Sequence, residues 1–424
     1  MGNPDGLTVE AARLIESASF VAGAARVLAS VEGLLGGDCT VFESFDSGKI
    51  AEAMEGEVFK IARHPFHFCV VFSGDSGFFS GAGKLSSILC RFGWNVKIVP
   101  GLSSAQVLAS RLGVDWSGWS LVSAHGVDCD ISAEIAHSKS AFFLTGGKIT
   151  ASTIFDFVFE NRIPCRFVAA DRLSYADESL VDLLLDFGGL GENRAFLEDA
   201  ALSKKKLDGM KLACVLVDRS PFKSEIPAEA RPAFPDSLFA RKLGGGSDRL
   251  VPMTKRMVRS SILSLLSVAD GETVWDVGCG TGAVSMDIAA SAKCHVFSVE
   301  AQEEAFELEK ENRRIFGAWN VDLLLGTAPD ALVSLPPPDA VFVGGSGGRL
   351  AEILFIAFRK NEGARVLVAS VTVETFSLCV EVARKLGLSL EVTQLSVSSS
   401  ACFGELHLMK AENPVSLFLL RKAR

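Results

Sequence analysis

A glycine-rich stretch in the second half of the chain constrains the fold more than any other feature. Residues 274–283 read VWDVGCGTGA, an apolar run that meets three alternating glycines and leads into a helical pattern. Glycines let the backbone approach a ligand closely, and the N-terminus of the following helix offers free N–H groups. Glu300 ends the next apolar run, where a carboxylate can accept both hydroxyls of a ribose. The pattern predicts a strand, a loop and a helix that together bind a nucleotide-like cofactor.

The loop admits three interpretations. Gly278-x-Gly280-x-x-Ala283 fits the fingerprint of dinucleotide-binding proteins. Asp276 directly before the loop and the tighter Gly278-x-Gly280-x-Gly282 spacing instead favour S-adenosylmethionine, which has a cationic sulfonium and ammonium but no pyrophosphate. The third interpretation is a purely structural turn. We favour S-adenosylmethionine and keep the other two as alternatives.

Strand-like runs alternate with helical patterns on both sides of a segment that is typical of a linker. Five of the fourteen prolines fall between residues 221 and 252, together with the glycine triplet at 244–246. We predict an α/β fold with one domain over residues 1–220, a linker over 221–250 and a second domain over 251–424. In the first domain we predict a helix over 7–27 and a strand at 96–99. In the second, we predict a parallel sheet that closes on an antiparallel hairpin.

Composition excludes several classes of function. The net charge of −9 gives no general electrostatic footprint for nucleic acid. No stretch reaches the roughly 18 uncharged apolar residues of a membrane helix, so we expect no membrane partner. The N-terminus lacks the pattern of a signal peptide, and the ten cysteines are scattered singly, so we expect a cytoplasmic location without disulfides. His64-x-x-His67 has no nearby ligand cluster, so we predict no metal.

Several short motifs occur in each half of the chain. In the C-terminal half they are PMTK (252–255), DVGCGTG (276–282), GTAP (326–329), DAVFVGGSGG (339–348) and VTVE (371–374). In the N-terminal half they are SGDSGFFS (73–80), PGLSS (100–104) and LSYADE (173–178). On these motifs, the C-terminal half resembles the methyltransferase-decarboxylases of corrin biosynthesis, and the N-terminal half resembles the tetrapyrrole methylases. Together, in this order, the motifs cover nearly the whole chain and resemble fused enzymes of corrin biosynthesis.

The resemblance implies a fold and an activity. It implies a two-lobed tetrapyrrole methylase-like α/β domain followed by a class I, Rossmann-like methyltransferase domain. The substrate would be a precorrin-6 tetrapyrrole, methylated from S-adenosylmethionine at C5 by the first domain and at C15 by the second. The second domain would also decarboxylate the ring C acetate, giving precorrin-8. Related modules are oligomeric, so we expect a homo-oligomer.

The resemblance also assigns site residues by motif. The C-terminal cofactor site would use Thr254, Gly278, Cys279, Gly280, Thr281, Gly282, Glu300 and Ala328. The N-terminal cofactor site would use Asp75, Ser76 and Ser104. The substrate carries many carboxylates, for which we predict Lys255, Arg256, Arg259 and Arg349, with Ser346 in the glycine string. Glu374 is the residue that we predict as the acid for decarboxylation.

The N-terminal motif departs from the pattern of the tetrapyrrole methylases. Those proteins begin with an apolar strand that leads into a Gly-x-Gly-Pro-Gly-type loop, whereas residues 1–6 (MGNPDG) correspond to the loop itself. We therefore expect one of three outcomes: the true start lies upstream, the domain tolerates the loss of that strand, or C5 methylation is impaired. One alternative is that only the C-terminal module is active. Another is an unrelated small-molecule or nucleic-acid methyltransferase.

Overall fold

Two compact units make up the chain. The computed structural model describes residues 3–58, 67–125, 129–187, 194–227, 230–242 and 250–422. His64 and the glycine triplet at 244–246 lie outside the described residues. The first unit comprises Met1–Cys129 and Lys139–Phe222, and the second comprises Asp130–Ser138 and Lys223–Arg424. This grouping places Asp130–Ser138 with the second unit, and the domain limits drawn from the sequence stay a prediction.

The first unit contains two sheets, as the two-lobed α/β prediction requires. Its strands are β1 (Phe20–Gly23), β2 (Thr40–Glu43), β3 (Phe68–Val71), β4 (Ser120–Ser123), β5 (Ser140–Leu144), β6 (Cys165–Asp171), β7 (Ser179–Leu185) and β8 (Ala213–Asp218). Its helices are α1 (Val9–Glu16), α2 (Ala25–Val31), α3 (Ser47–Val58), α4 (Ala82–Arg91), α5 (Ser104–Leu112), α7 (Ala151–Glu160) and α8 (Arg194–Asp208), while α6 (Ile131–His137) belongs to the second unit. One sheet is parallel in the order β2-β1-β3, and the other is mixed in the order β4-β5-β8-β6-β7.

Two predictions for the first unit are wrong. The helix predicted over 7–27 is interrupted by β1, whose four residues are all buried. Periodicity alone cannot distinguish so short an apolar run from part of a buried helix. Residues 95–99 have no regular structure where a strand was predicted at 96–99. A strand needs a neighbour for its backbone hydrogen bonds. Among the described residues β3 pairs only with β1, and a cavity of about 530 Å³ is lined by both β3 and residues 94–100.

Among the described residues, the second unit contains a doubly wound sheet of seven strands and a separate two-stranded hairpin. Its strands are β9 (Thr273–Val277), β10 (His295–Glu300), β11 (Val321–Leu325), β12 (Ala340–Val343), β13 (Arg365–Ser370), β14 (Leu388–Leu395), β15 (Ser398–Phe403), β16 (Leu406–Ala411) and β17 (Val415–Lys422). Its further helices are α9 (Arg256–Leu266), α10 (Ala283–Ser291), α11 (Glu303–Phe316), α12 (Leu350–Lys360) and α13 (Val373–Leu386). The sheet order is β11-β10-β9-β12-β13-β17-β14, and β17 runs antiparallel to β13 and β14. The predicted antiparallel closure is confirmed, with the additional hairpin β15-β16 inserted before β17.

Strand β9 places the glycine loop at the point where the strand order reverses. Its neighbours are β10 on one side and β12 on the other, so a crevice forms beyond its carboxyl end. Successive residues of β9 face opposite layers, because Val274 belongs to one hydrophobic cluster and Trp275 to another. Burial on both faces explains why β9 is apolar apart from Thr273 and Asp276.

A buried arginine ties together the elements around this crevice. Arg259 on α9 is fully buried, and its Nε donates to Oδ2 of Asp287 on α10 over 2.5 Å. Its Nη1 donates to Asp236 Oδ1 at 2.8 Å and to the Thr254 carbonyl at 2.5 Å, and its Nη2 donates to the Phe234 carbonyl at 2.5 Å. The Phe234 N–H donates in turn to the other oxygen of Asp287 at 2.9 Å. One guanidinium therefore fixes two helices and the chain that precedes α9.

These contacts contradict the substrate-binding role predicted for Arg259. A side chain with no exposed surface cannot reach a substrate carboxylate, and each of its three nitrogens already donates to a partner within the unit. The residue instead holds Thr254 at the start of α9 through the Thr254 carbonyl.

We expect Arg259→Met to lower the free energy of unfolding of the second unit by about 3–5 kcal/mol, because it leaves the Asp287 carboxylate buried without its partner. Arg256→Met is the matched control on the same helix. Arg256 is exposed and donates to the Ala233 carbonyl, so its loss should cost about 1 kcal/mol or less. Differential scanning calorimetry of the full chain measures both. Equal shifts for the two variants would contradict the assigned role.

Candidate functional site

The glycine loop after β9 adopts a backbone that side chains rarely permit. Gly278, Gly280 and Gly282 have φ angles of +68°, +61° and +74°. A Cβ on Gly278 would lie 2.4 Å from the carbonyl oxygen of Gly345, so the loop after β9 and the loop after β12 approach backbone to backbone. The three glycines are therefore required by the conformation as well as by ligand access.

A cavity of about 810 Å³ opens beside this loop and collects many of the predicted residues. It is also lined by residues that the sequence analysis missed, at the ends of β13 and on the hairpin β15-β16. The predicted residues that line it are Thr254, Lys255, Gly278, Cys279, Gly280, Thr281 and Glu300. The additional lining includes Gln302, Ser370, Val371 and Lys410. The position of Ser370 and Val371 at the carboxyl end of a central strand is the signal that could have identified them.

Glu300 is held in place by the loop that it faces. Its Oε2 accepts the N–H of Gly280 at 2.7 Å, and its Oε1 accepts the N–H of Gln302 at 2.8 Å. Each carboxylate oxygen retains a second lone pair for a ligand hydroxyl. The buried Thr281 Oγ1 has no hydrogen-bond partner among the described residues. These groups fit the polar part of S-adenosylmethionine: a carboxylate for the ribose, an unpaired hydroxyl and a backbone open to close approach.

The Cys279 thiol is not a nucleophile in this site. Burial raises its pKa well above the usual value, and the nearby carboxyl groups of Glu309 and Asp276 raise it further. The thiolate is the reactive form of cysteine, so this residue stays protonated at neutral pH. Its predicted contact with the cofactor stays a prediction.

Several predicted residues lie outside the cavity lining. Gly282 faces α11, since a Cβ there would lie 2.7 Å from Glu309 Cγ. Ala328 packs against the hydrophobic cluster under α12. The remaining four, besides Arg259, are on or near the surface: Arg256, Ser346, Arg349 and Glu374. Arg349 forms ion pairs with Asp330 and Glu352, both at 2.7 Å.

The cavity of the first unit is bordered by two loops that hold each other. Asp75 accepts the N–H of Gly77 at 2.5 Å and that of Gly101 at 3.4 Å, while Ser76 Oγ donates to the Val99 carbonyl at 2.7 Å. Of the predicted trio, Ser76 lines the cavity of about 530 Å³, whereas Asp75 and Ser104 are not part of its lining. Ser104 is the first residue of α5, directly after the capping residue Ser103.

The described residues offer neither a metal cluster nor a helical membrane span. Within residues 3–58, 67–125, 129–187, 194–227, 230–242 and 250–422, no group of three or more His, Cys, Asp or Glu side chains is arranged to hold a metal ion. In the same ranges, no helix has the length and apolar character needed to span a membrane.

Comparison with known families matches each half of the chain separately. Residues 248–422 match the family model described as "Precorrin methyltransferase domain". Residues 1–186 match the model described as "Tetrapyrrole (Corrin/Porphyrin) Methylases". The two matches do not overlap, and they follow each other in the order in which the sequence motifs occur.

Similar proteins carry names from the same pathway. A probable cobalt-precorrin-6B C(15)-methyltransferase (decarboxylating) from Pyrobaculum calidifontis is 41% identical over 189 residues, which cover 44% of this chain and 94% of that protein. A precorrin-6Y C(5,15)-methyltransferase (decarboxylating) from Sinorhizobium is 26% identical over 386 residues, covering 91% of this chain and 86% of that protein. The crystal structure of a precorrin-6Y C5,15-methyltransferase from Geobacter metallireducens aligns with a TM-score of 0.41 at 31% identity, covering 45% of this chain and 98% of that one. The chain therefore belongs to the family of decarboxylating precorrin methyltransferases, in which a tetrapyrrole methylase domain here precedes the precorrin methyltransferase domain.

Proposed function

We propose that this chain methylates a precorrin-6 tetrapyrrole at C5 with its first unit and at C15 with its second, and that the second unit also decarboxylates the ring C acetate. The observation that carries the proposal is the match to the Sinorhizobium precorrin-6Y C(5,15)-methyltransferase (decarboxylating) along 91% of the chain. Each unit also contains a cavity beside the loop that its motif predicts for the cofactor.

In the second unit, the residues would act mainly by positioning. S-adenosylmethionine supplies an already activated methyl group, and the methine carbons of the macrocycle are electron-rich. Holding donor and acceptor in line therefore accounts for most of the rate enhancement. Glu300 would hold the ribose, and the loop from Gly278 to Thr281 would support the rest of the cofactor.

Substrate carboxylates would be held by cations at the cavity. Lys255 precedes α9 and Lys410 lies on β16, and both side chains border the same cavity. Two ammonium groups there offset the net negative charge of the chain locally. Arg256 and Arg349 do not line the cavity, and neither does Glu374, so their roles toward substrate and in protonation remain predictions.

The wider expectations from the sequence remain predictions as well. They are the domain limits at 220 and 251, the absence of nucleic-acid and membrane partners, a homo-oligomer and a cytoplasmic location.

We expect the wild-type chain, incubated with precorrin-6Y and methyl-labelled S-adenosylmethionine, to add two methyl groups and release one carbon dioxide, as counted by mass spectrometry and gas trapping. Gly280→Asp should slow C15 methylation and carbon dioxide release by about 100-fold or more, because it brings an uncompensated carboxylate to the cofactor surface beside Glu300. Methylation at C5 should persist in this variant.

Gly387→Asp is the matched control for this substitution. Gly387 also has a positive φ, of +63°, but it ends α13 in open space and does not line the cavity. This variant should retain both methylations. One methyl group together with carbon dioxide release in the wild type would mean that only the second unit is active. Absence of both methyl transfer and decarboxylation would overturn the proposal.

A further inference from the structure

Behind the glycine loop of the second unit, two buried carboxyl groups are joined by two serines. Ser285 Oγ lies 2.5 Å from Asp276 Oδ2 and 2.9 Å from Ser298 Oγ, and Ser298 Oγ contacts Glu309 Oε1. All four side chains are fully buried. They come from β9, α10, β10 and α11 in turn, so the chain of contacts links two strands and two helices behind the loop.

Counting hydrogens shows that this chain of contacts needs one more proton than its hydroxyls provide. Three oxygen-to-oxygen contacts require three hydrogens, and the two serine hydroxyls supply two of them. The third must come from Asp276 or Glu309. If both carboxyl groups were ionised, one contact would join two lone pairs, and two negative charges would be buried within one network.

The electrostatic surroundings favour the same conclusion. Burial raises the pKa of Asp276 to about 7 and that of Glu309 to about 8, more than the serine hydrogen bonds lower them. The charged or titratable groups that act on the pair are the Glu300 carboxylate, the Cys279 thiol and the Arg313 guanidinium. Asp276 Oδ1 and Glu309 Oε2 have no hydrogen-bond partner among the described residues.

Glu309 is packed directly against the loop. A Cβ on Gly282 would lie 2.7 Å from Glu309 Cγ, so the loop packs against the Glu309 side chain more closely than any other residue type at position 282 would permit. Three residues further along α11, Asn312 Nδ2 donates to the Thr281 carbonyl at 2.8 Å. A change in the position of Glu309 would therefore move the backbone that borders the cavity.

We propose that Glu309 positions the cofactor loop, and that this positioning depends on a single proton that Glu309 shares with Asp276. The singly protonated pair completes the hydrogen-bonded chain and keeps α11 against Gly282. Loss of that proton leaves two buried carboxylates, which repel each other and displace the loop. The inference rests on the proposed function, since it concerns S-adenosylmethionine binding in the second unit.

The test is the affinity for S-adenosylhomocysteine between pH 7 and pH 9, measured by titration calorimetry on the full chain. The relevant site is the one that Gly280→Asp abolishes. If only the protonated pair is competent, the wild-type affinity falls about tenfold by pH 9, because apparent affinity follows the competent fraction. Glu309→Gln supplies an amide N–H in place of the shared proton. It should bind within about twofold of wild type at pH 7 and lack this tenfold loss.

Glu307→Gln is the control, because Glu307 lies on the same helix, exposed and paired with Lys310. Its affinity should depend on pH as that of the wild type does. Titration of the ligand itself would change the affinity of all three proteins alike. Parallel profiles for wild type and Glu309→Gln would overturn the inference while leaving the proposed function intact. No binding by the wild type at pH 7 would overturn both.

An independent readout uses the wild-type protein alone. Infrared difference spectra should show the C=O stretch of a buried protonated carboxyl group at pH 7, and this band should disappear by pH 9. In Glu309→Gln the alkaline change should be absent. A wild-type spectrum without such a band at pH 7 would contradict the shared proton even if the variant fails to fold.

Discussion

The buried ion pair between Arg259 and Asp287 is the interaction on which the geometry of the second unit depends. It links α9 to α10 and, through the carbonyl groups of Phe234 and Thr254, fixes the chain that leads into α9. A buried charge of this kind is tolerated because each of the three guanidinium nitrogens donates a hydrogen bond and two of the acceptors are carboxylates. The cavity is thus bordered on one side by Thr254 and Lys255, whose backbone is set by the pair.

Opposite this border, the loop is supported by hydrogen bonds instead of charge pairing. Glu300 accepts the N–H of Gly280, Asn312 donates to the Thr281 carbonyl, and the serine-linked carboxyl groups lie beneath Gly282. One side of the cavity, at Thr254 and Lys255, is therefore fixed by the buried ion pair. On the other side, the position of the glycine loop depends on the protonation of Asp276 and Glu309. For a reaction in which the methyl group is already activated, precise placement of these walls matters more than a catalytic acid or base.

The sequence predicted the sheet of the second unit well, and the reasons are physical. Buried parallel strands read as apolar runs. The loop from Gly278 to Thr281 and the carboxylate of Glu300 can be recognised from residue type and spacing alone. The role of Arg259 could not be predicted, because its two carboxylate partners are 23 and 28 residues away in the sequence. Its spacing from Lys255 and Arg256 is equally typical of a cationic patch. The sequence did not point to Glu309 either, because a glutamate on an amphipathic helix usually faces solvent. In the first unit, β1 was too short to separate from a helix, and residues 96–99 lack the neighbour that would make them a strand.

The central claim is that one chain contains two working cofactor sites. Calorimetric titration of the full chain with S-adenosylhomocysteine tests it most directly, because the ligand occupies a methyl-donor site without turnover. We expect two binding sites per chain in the wild type and one in Gly280→Asp. A single site in the wild type that this substitution abolishes would show that the first unit does not bind the cofactor, and would contradict the account.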